Sequence, residues 1–242
     1  MSARDARLER IAVALDTAEW TELERWCELF GPRVGALKVG LEAYLRWGER
    51  ALAAAREHAA KVFLDLKLHD IPNTVGGAVR AVRGRGVDLL TVHASGGPAM
   101  LEAAAEAARG ELAILAVTVL THLDAEALAA LDLPGPGEQR VARWTSLARS
   151  AGCSGVVCSP LEAGELRVDN PRPFLLVTPG IRPGGSQRDD QRRVATPAAA
   201  LAAGADLLVI GRPLTRAEDP IARLESLAED LTAAGVSSGA TL

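Results

Sequence analysis

Eight short runs of strand-forming character alternate with longer stretches rich in Ala, Leu and Arg, and this alternation limits the fold more than any other feature of the chain. The runs fall near residues 10–15, 34–39, 61–67, 88–93, 112–118, 154–157, 173–177 and 206–210. Helical patterns lie between and after them, at 18–30, 42–57, 72–83, 98–108, 124–130 with 138–150, 160–166, 197–203 and 220–234. A strand that repeatedly leads into a helix builds a parallel sheet, because parallel neighbours need a crossover connection. Eight such units predict a (β/α)8 TIM barrel, with an open doubly wound sheet as the alternative. At 242 residues the chain has a length at which α/β barrels form one domain. A single barrel domain is expected over 1–235, with a small, polar tail at 236–242 that frays.

Strand side chains alternate between the two faces of a sheet. Val62, Leu64, Leu66 and Leu68 share one face, while Phe63, Asp65, Lys67 and His69 share the other. Ile11, Val13 and Leu15 likewise oppose Ala12, Ala14 and Asp16, and Leu37, Val39 and Leu41 oppose Ala36, Lys38 and Gly40. In a barrel the aliphatic face packs on the helices. Asp16, Lys38, Asp65 and Lys67 then point inward near the carboxyl ends of their strands, where barrel active sites lie. Inward charges are costly unless paired. Asp65 and Lys67 alone are compatible with a structural ion pair, but four inward charges of mixed sign at one mouth point to function. Lysine occurs only at 38, 61 and 67, and every other basic side chain except histidine is arginine. Lysine can give up and recover a proton where arginine cannot, so two lysines in this cluster fit proton transfer.

Two later segments suit an anion. Thr178–Ser186, running on to Asp190-Gln191-Arg192-Arg193, is long, Gly-rich and polar, a composition able to close over a ligand. Ile210-Gly211-Arg212-Pro213 directly follows the eighth strand. Gly211 permits close approach of backbone N–H groups, Arg212 offers a bidentate contact, and Pro213 suits the first turn of a short helix. Barrels often hold phosphate at these seventh and eighth loops.

Composition excludes other classes. Aromatics make up 3% of the chain, which leaves few platforms for stacking bases, and with a net charge of −4 the scattered basic residues form no stripe for nucleic acid. No apolar run approaches the roughly 20 residues that span a bilayer. The charged N-terminus lacks the apolar stretch of a signal peptide. Cys27, Cys153 and Cys158 fit neither a CxxC pair nor a zinc ribbon and read as small buried side chains in a reducing, cytoplasmic setting. The four histidines, at 58, 69, 93 and 122, are spread out and form no metal-ligand pair in sequence.

The stretch Val62-Phe63-Leu64-Asp65-Leu66-Lys67-Leu68-His69-Asp70-Ile71-Pro72-Asn73-Thr74 closely resembles the signature of the orotidine 5′-phosphate decarboxylase family. Ala14-Leu15-Asp16, Leu37-Lys38-Val39-Gly40, Val92–Gly97, Val117–Thr121, Gly155–Ser159, Thr178–Arg182 and Val209–Pro213 resemble further family segments, in the family's order. The resemblance implies conversion of orotidine monophosphate to uridine monophosphate and carbon dioxide in pyrimidine biosynthesis, without cofactor or metal. It implies that Lys67 protonates C6 of the pyrimidine. Lys38, Asp65 and Asp70 complete an alternating charged network, with Asp70 supplied by the partner subunit of a homodimer. Thr74 reaches the partner's ligand in the same way. Asp16 and Lys38 match ribose ligands, Thr121 a ligand contact after the fifth strand, and Ser159 a position near the pyrimidine edge. Pro179, Arg182, Gln191, Gly211 and Arg212 match substrate-binding positions, the last four at the phosphate clamp and its closing loop.

Three other readings fit parts of the pattern. A metal-dependent sugar-phosphate enzyme resembles the Asp-x-Lys-x-x-Asp core but not the Ile71–Thr74 continuation. A Schiff-base aldolase on Lys67 needs a neutral amine, which flanking carboxylates oppose. A barrel that binds phosphate without catalysis would have no use for the charged cluster.

Overall fold

The computed structural model describes residues 5–133, 135–182 and 195–234. Its eight strands are β1 (Ile11–Ala14), β2 (Ala36–Gly40), β3 (Val62–Leu68), β4 (Leu89–His93), β5 (Ala113–Val117), β6 (Gly155–Val157), β7 (Leu175–Thr178) and β8 (Leu207–Ile210). Each pairs in parallel with the next, and β8 pairs with β1, so the sheet closes into a barrel. Closure decides against the open doubly wound sheet.

The helices follow the strands. After β1 comes α1 (Trp20–Phe30), and after β2 come α2 (Leu41–Trp47) and α3 (Glu49–His58). Next are α4 (Pro72–Val82), α5 (Pro98–Ala108), α6 (Ala125–Ala130) and α7 (Gly137–Ser150). The last are α8 (Ala163–Asp169), α9 (Pro197–Ala202), the single turn α10 (Arg212–Thr215) and α11 (Pro220–Ala233). Several starts have clear chemical causes. Asp219 accepts from the N–H groups of Ile221 and Ala222, with Pro220 in the first turn of α11.

Two expected helices differ from the structure. The pattern at 42–57 is not continuous, because Gly48 adopts φ 48° and ψ −123° and separates α2 from α3. That conformation needs a residue without Cβ. The helix expected at 160–166 starts at Ala163 instead, after a turn in which the Ser159 N–H donates to the Glu162 carboxylate at 2.8 Å.

Two cores share the strands. Ile11, Val13, Leu37, Val39, Val62 and Leu64 pack outward against the helices. Ala12, Ala36, Phe63, Leu89, Leu115, Val177 and Leu207 fill the barrel. The expected facing is therefore met on β1, β2 and β3. A fully buried aliphatic side chain contributes about 1.5–3 kcal/mol, so reversing one strand's facing would forfeit several such terms. The inner plug also forms a floor beneath the carboxyl ends of the strands, where the charged side chains begin.

Candidate active site

Neighbouring strands deliver the charges in order. Asp16 follows β1, Lys38 lies on β2, and Asp65 and Lys67 lie on β3. Lys38 Nζ is 3.5 Å from Asp16 Oδ2 and 3.3 Å from Asp65 Oδ2. Lys67 Nζ donates to both oxygens of Asp65, at 2.8 and 2.9 Å. The result is a row of alternating sign, Asp16–Lys38–Asp65–Lys67. Side-chain exposure runs from 52% at Asp16 through 7% at Lys38 and 12% at Asp65 to 30% at Lys67, so the inner two charges depend on their neighbours for compensation.

Burial works against ionisation of Asp65, but Lys38 and then Lys67 outweigh it, with hydrogen bonds from Lys67 and Thr91, and bring its pKa down to about 2. Burial likewise opposes charge on Lys38, and Asp65 and Asp16 outweigh it, raising its pKa. Both groups are held ionised.

Gly40, at the end of β2, makes room for the row. A Cβ there would lie 2.2 Å from Asp16 Oδ1 and 3.0 Å from Lys38 Nζ, so no other residue fits without moving the pair.

The row borders a cavity of about 460 Å³, within the usual size range for a small-molecule site. Pro179, Gly180, Arg182, Gly211, Arg212 and Arg216 line it from the β7 and β8 side. Phe63, Val117 and Val157 also line it. Ile181 bridges to Ala195, and the Arg182 N–H donates to the Ala195 carbonyl at 2.9 Å, tying together the two ends of the segment 183–194. One side of the cavity thus offers an ammonium beside an ionised carboxylate, and another offers guanidinium groups for an oxyanion. That combination suits stabilising a carbanion in a phosphorylated substrate.

Most of the site residues expected from sequence converge here: Asp16, Lys38, Asp65, Lys67, Thr121, Pro179, Arg182, Gly211 and Arg212 all line the cavity. Ser159 does not. It is fully buried, and its hydroxyl accepts from the Leu161 N–H at 3.2 Å in the turn before α8. Its neighbour Cys158 lines the cavity instead. Asp70 and Thr74 are exposed and do not line their own chain's cavity. Gln191 lies outside the described residues, as do the rest of 183–194 and the tail at 236–242.

Sequence reasoning missed Thr91, Glu42, Thr215 and Arg216. The last three line the cavity from helices or turns that follow strands, where no alternation rule predicts facing. It also treated His69 and His93 as separate, whereas their ring centroids lie 5.4 Å apart. Burial lowers the His93 pKa, and His69 and Lys67 lower it further. Among the described residues no group of three or more His, Cys, Asp or Glu side chains is placed to hold a metal ion.

Residues 9–227 match the sequence model of the "Orotidine 5'-phosphate decarboxylase / HUMPS family". The chain is 54% identical to the orotidine 5′-phosphate decarboxylase of Thermobifida fusca over 230 residues, which covers 94% of this chain and 97% of that one. It is 49% identical over 232 residues to the enzyme of the same name from Moorella thermoacetica, covering 92% of each. The crystal structure of orotidine 5′-phosphate decarboxylase from Lactobacillus acidophilus matches with a TM-score of 0.79 at 33% identity, covering 91% of this chain and 98% of that one.

Proposed function

The chain belongs to the orotidine 5′-phosphate decarboxylase / HUMPS family, and from that premise we propose that it is a carboxy-lyase converting orotidine 5′-phosphate to uridine 5′-phosphate and carbon dioxide, with Lys67 as the proton donor. The observation that carries this reading is the Lys67 ammonium, held 2.8 and 2.9 Å from the two Asp65 oxygens beside a cavity that Arg182 and Arg212 also line.

The substrate phosphate binds at Arg182, Gly211 and Arg212, and Pro179 and Thr121 complete the wall around the ligand. Asp16 and Lys38 take the ribose hydroxyls. The base then reaches Asp65 and Lys67. The bond between C6 and the carboxylate breaks heterolytically, its electron pair stays on C6, and carbon dioxide leaves. A Lys67 N–H proton moves to C6, and the neutral amine recovers a proton from water. No cofactor is called on to delocalise the carbanion, so the ammonium supplies the stabilising charge from within a site already organised around it. Asp65, ionised by its two lysine neighbours, repels the substrate carboxylate until it departs. Phosphate binding remote from the reacting carbon contributes energy that holds the base in this arrangement.

Asp70 and Thr74 serve the partner's cavity in a homodimer. Both are exposed and outside their own cavity, and Ile71 between them is 67% exposed, as suits a contact surface. Ser159 acts indirectly, by fixing the turn beside Cys158. The catalytic domain spans 1–235. The three cysteines are buried thiols rather than disulfides, which supports a cytoplasmic setting, and no helix among the described residues is long and apolar enough to cross a membrane.

The test is to mix the purified protein with orotidine monophosphate and a strong chelator and follow orotate absorbance. Rapid loss of absorbance, blocked by a uridine-phosphate analogue, is the expected result. A folded protein that leaves the absorbance unchanged would overturn the proposal.

A further inference from the structure

We propose that Thr91 is a positioning residue for the proton donor: its buried hydroxyl links the Lys67 backbone to the Asp65 carboxylate and thereby fixes where the Lys67 ammonium sits. The inference rests on the reading of Lys67 given above and goes beyond it by assigning a residue outside the cavity.

Leu64 on β3 pairs with Leu90 on β4, and the next pairing is Leu68 with Val92, so β3 advances four residues while β4 advances two. Two inward residues of β3, Asp65 and Lys67, therefore share a single inward partner on β4, which is Thr91. The extra length is taken up at Lys67, whose φ is 51°, a left-handed conformation that a non-glycine side chain rarely adopts without outside support.

The support is visible. The Lys67 N–H donates to Thr91 Oγ1 at 2.9 Å. Thr91 Oγ1 in turn donates to Asp65 Oδ1 at 2.9 Å. The direction is fixed by chemistry, because an amide N–H only donates and an ionised carboxylate only accepts, so the hydroxyl oxygen accepts from Lys67 while its proton is donated to Asp65. Lys67 Nζ closes the ring on the same Asp65 oxygen at 2.8 Å. Lys67 is thus held at its amide and at its ammonium. Thr91 is fully buried, so water has no access to replace the hydroxyl, and its β-branched side chain has few alternative rotamers. The Thr91 hydrogen bond is also one of the contacts that keep Asp65 ionised.

Three variants separate positioning from packing. Thr91→Ala and Thr91→Ser both lose the methyl group, and only the serine keeps the hydroxyl. Thr91→Val keeps the shape and loses the hydroxyl. In the alanine and valine variants kcat on orotidine monophosphate should fall roughly 10- to 100-fold, the scale expected for a misplaced reacting group. KM and uridine monophosphate affinity should stay within about threefold, since binding contacts are untouched. Thr91→Ser should stay within about threefold of the parent in kcat, as it keeps the positioning contact. Hydrogen exchange at the Lys67 amide gives a readout independent of turnover: it should quicken at least about tenfold in the alanine variant and stay slow in the serine variant. Equal kcat in the alanine and serine variants would overturn the proposal. So would unchanged exchange at Lys67, parallel loss of kcat and ligand affinity, or unfolding confined to the variants without the hydroxyl, which would mark a purely structural role. A parent protein inert towards orotidine monophosphate would defeat the proposed activity instead, and the exchange comparison would still decide whether the hydroxyl holds Lys67.

Discussion

Asp65 accepts hydrogen bonds from the Lys67 ammonium at both of its oxygens, 2.8 and 2.9 Å away, while Lys67 itself sits at φ 51°. The left-handed backbone thus falls at the residue proposed as proton donor. Lys38 approaches the same carboxylate from β2 at 3.3 Å, so two lysines converge on one aspartate that is 9% exposed. The geometry makes Asp65 the centre of the row, and several measurable consequences follow from its being charged.

Asp65→Asn removes the charge and leaves Lys38 with Asp16 alone. Turnover should fall at least about 100-fold, because the preorganised field is lost. Urea unfolding at pH 7 should show a loss of about 3 kcal/mol, the low end for breaking a buried pair, since Asp16 still compensates part of the charge. The pH dependence has a defined sign. Asp65 has a folded pKa brought down to about 2, below the ordinary carboxylate range, so its ionisation stabilises the fold above about pH 4, and that stabilisation is lost as pH falls towards 2. The contribution is on the order of 2 kcal/mol. The parent should lose it across that window in urea titrations, and the asparagine variant should lack that part of the slope.

Gly40→Ala should damage the site more than the fold. The added methyl would stand 2.2 Å from Asp16 Oδ1, and the end of a half-exposed side chain can move aside. We expect kcat/KM to fall about 10- to 100-fold, as for a small misplacement of catalytic groups, with little change in Tm. Unchanged kcat/KM would mean that the Asp16–Lys38 contact is dispensable.

Arg212→Ala should act through binding. Loss of one charge-assisted contact to phosphate costs about 1.5–3 kcal/mol, which corresponds to a rise in KM of roughly 10- to 150-fold. Steady-state kinetics with KM unchanged would argue against phosphate at the β8 end of the cavity.

Asp70 offers a test of subunit exchange. Lys67→Ala and Asp70→Ala should each be nearly inactive alone. In a mixture allowed to exchange subunits, each mixed dimer would carry one site with both residues intact, so activity should return to about a quarter of the parent's. No recovery, with mixed dimers demonstrated, would place Asp70 outside the partner's site.

Much of the fold and the row was legible in the sequence because both rest on a period of two. Ile11, Val13, Leu37, Val39, Val62 and Leu64 announce the outer face, and their neighbours must then point inward. Once the sheet is parallel and closed, Asp16, Lys38 and Asp65 fall side by side on neighbouring strands. Register is different, because it depends on pairing between strands. Nothing in Leu64–Leu68 shows that β3 outruns β4 by two residues there, so Thr91 reads as an ordinary strand residue. Gly48 could equally be a tolerated glycine within one helix, and only its backbone conformation, φ 48° and ψ −123°, shows it to be the break between α2 and α3. Cavity residues on loops and helix starts, such as Thr215 and Arg216, obey no facing rule that a single sequence reveals. Ser159 enters the expected site only through the family resemblance, and its hydroxyl accepts a hydrogen bond within a turn.

The most direct measurement is Lys67→Ala assayed two ways on the same preparation, with chelator present. Turnover of orotidine monophosphate should fall by at least about a thousandfold, because the group proposed as proton donor, and the charge it would set opposite the carbanion, are both gone. Uridine monophosphate should still bind within about tenfold of the parent, since Arg182, Gly211 and Arg212 are untouched. Turnover near the parent rate in a folded Lys67→Ala protein would contradict the account, because the row would then hold a lysine that the chemistry does not use.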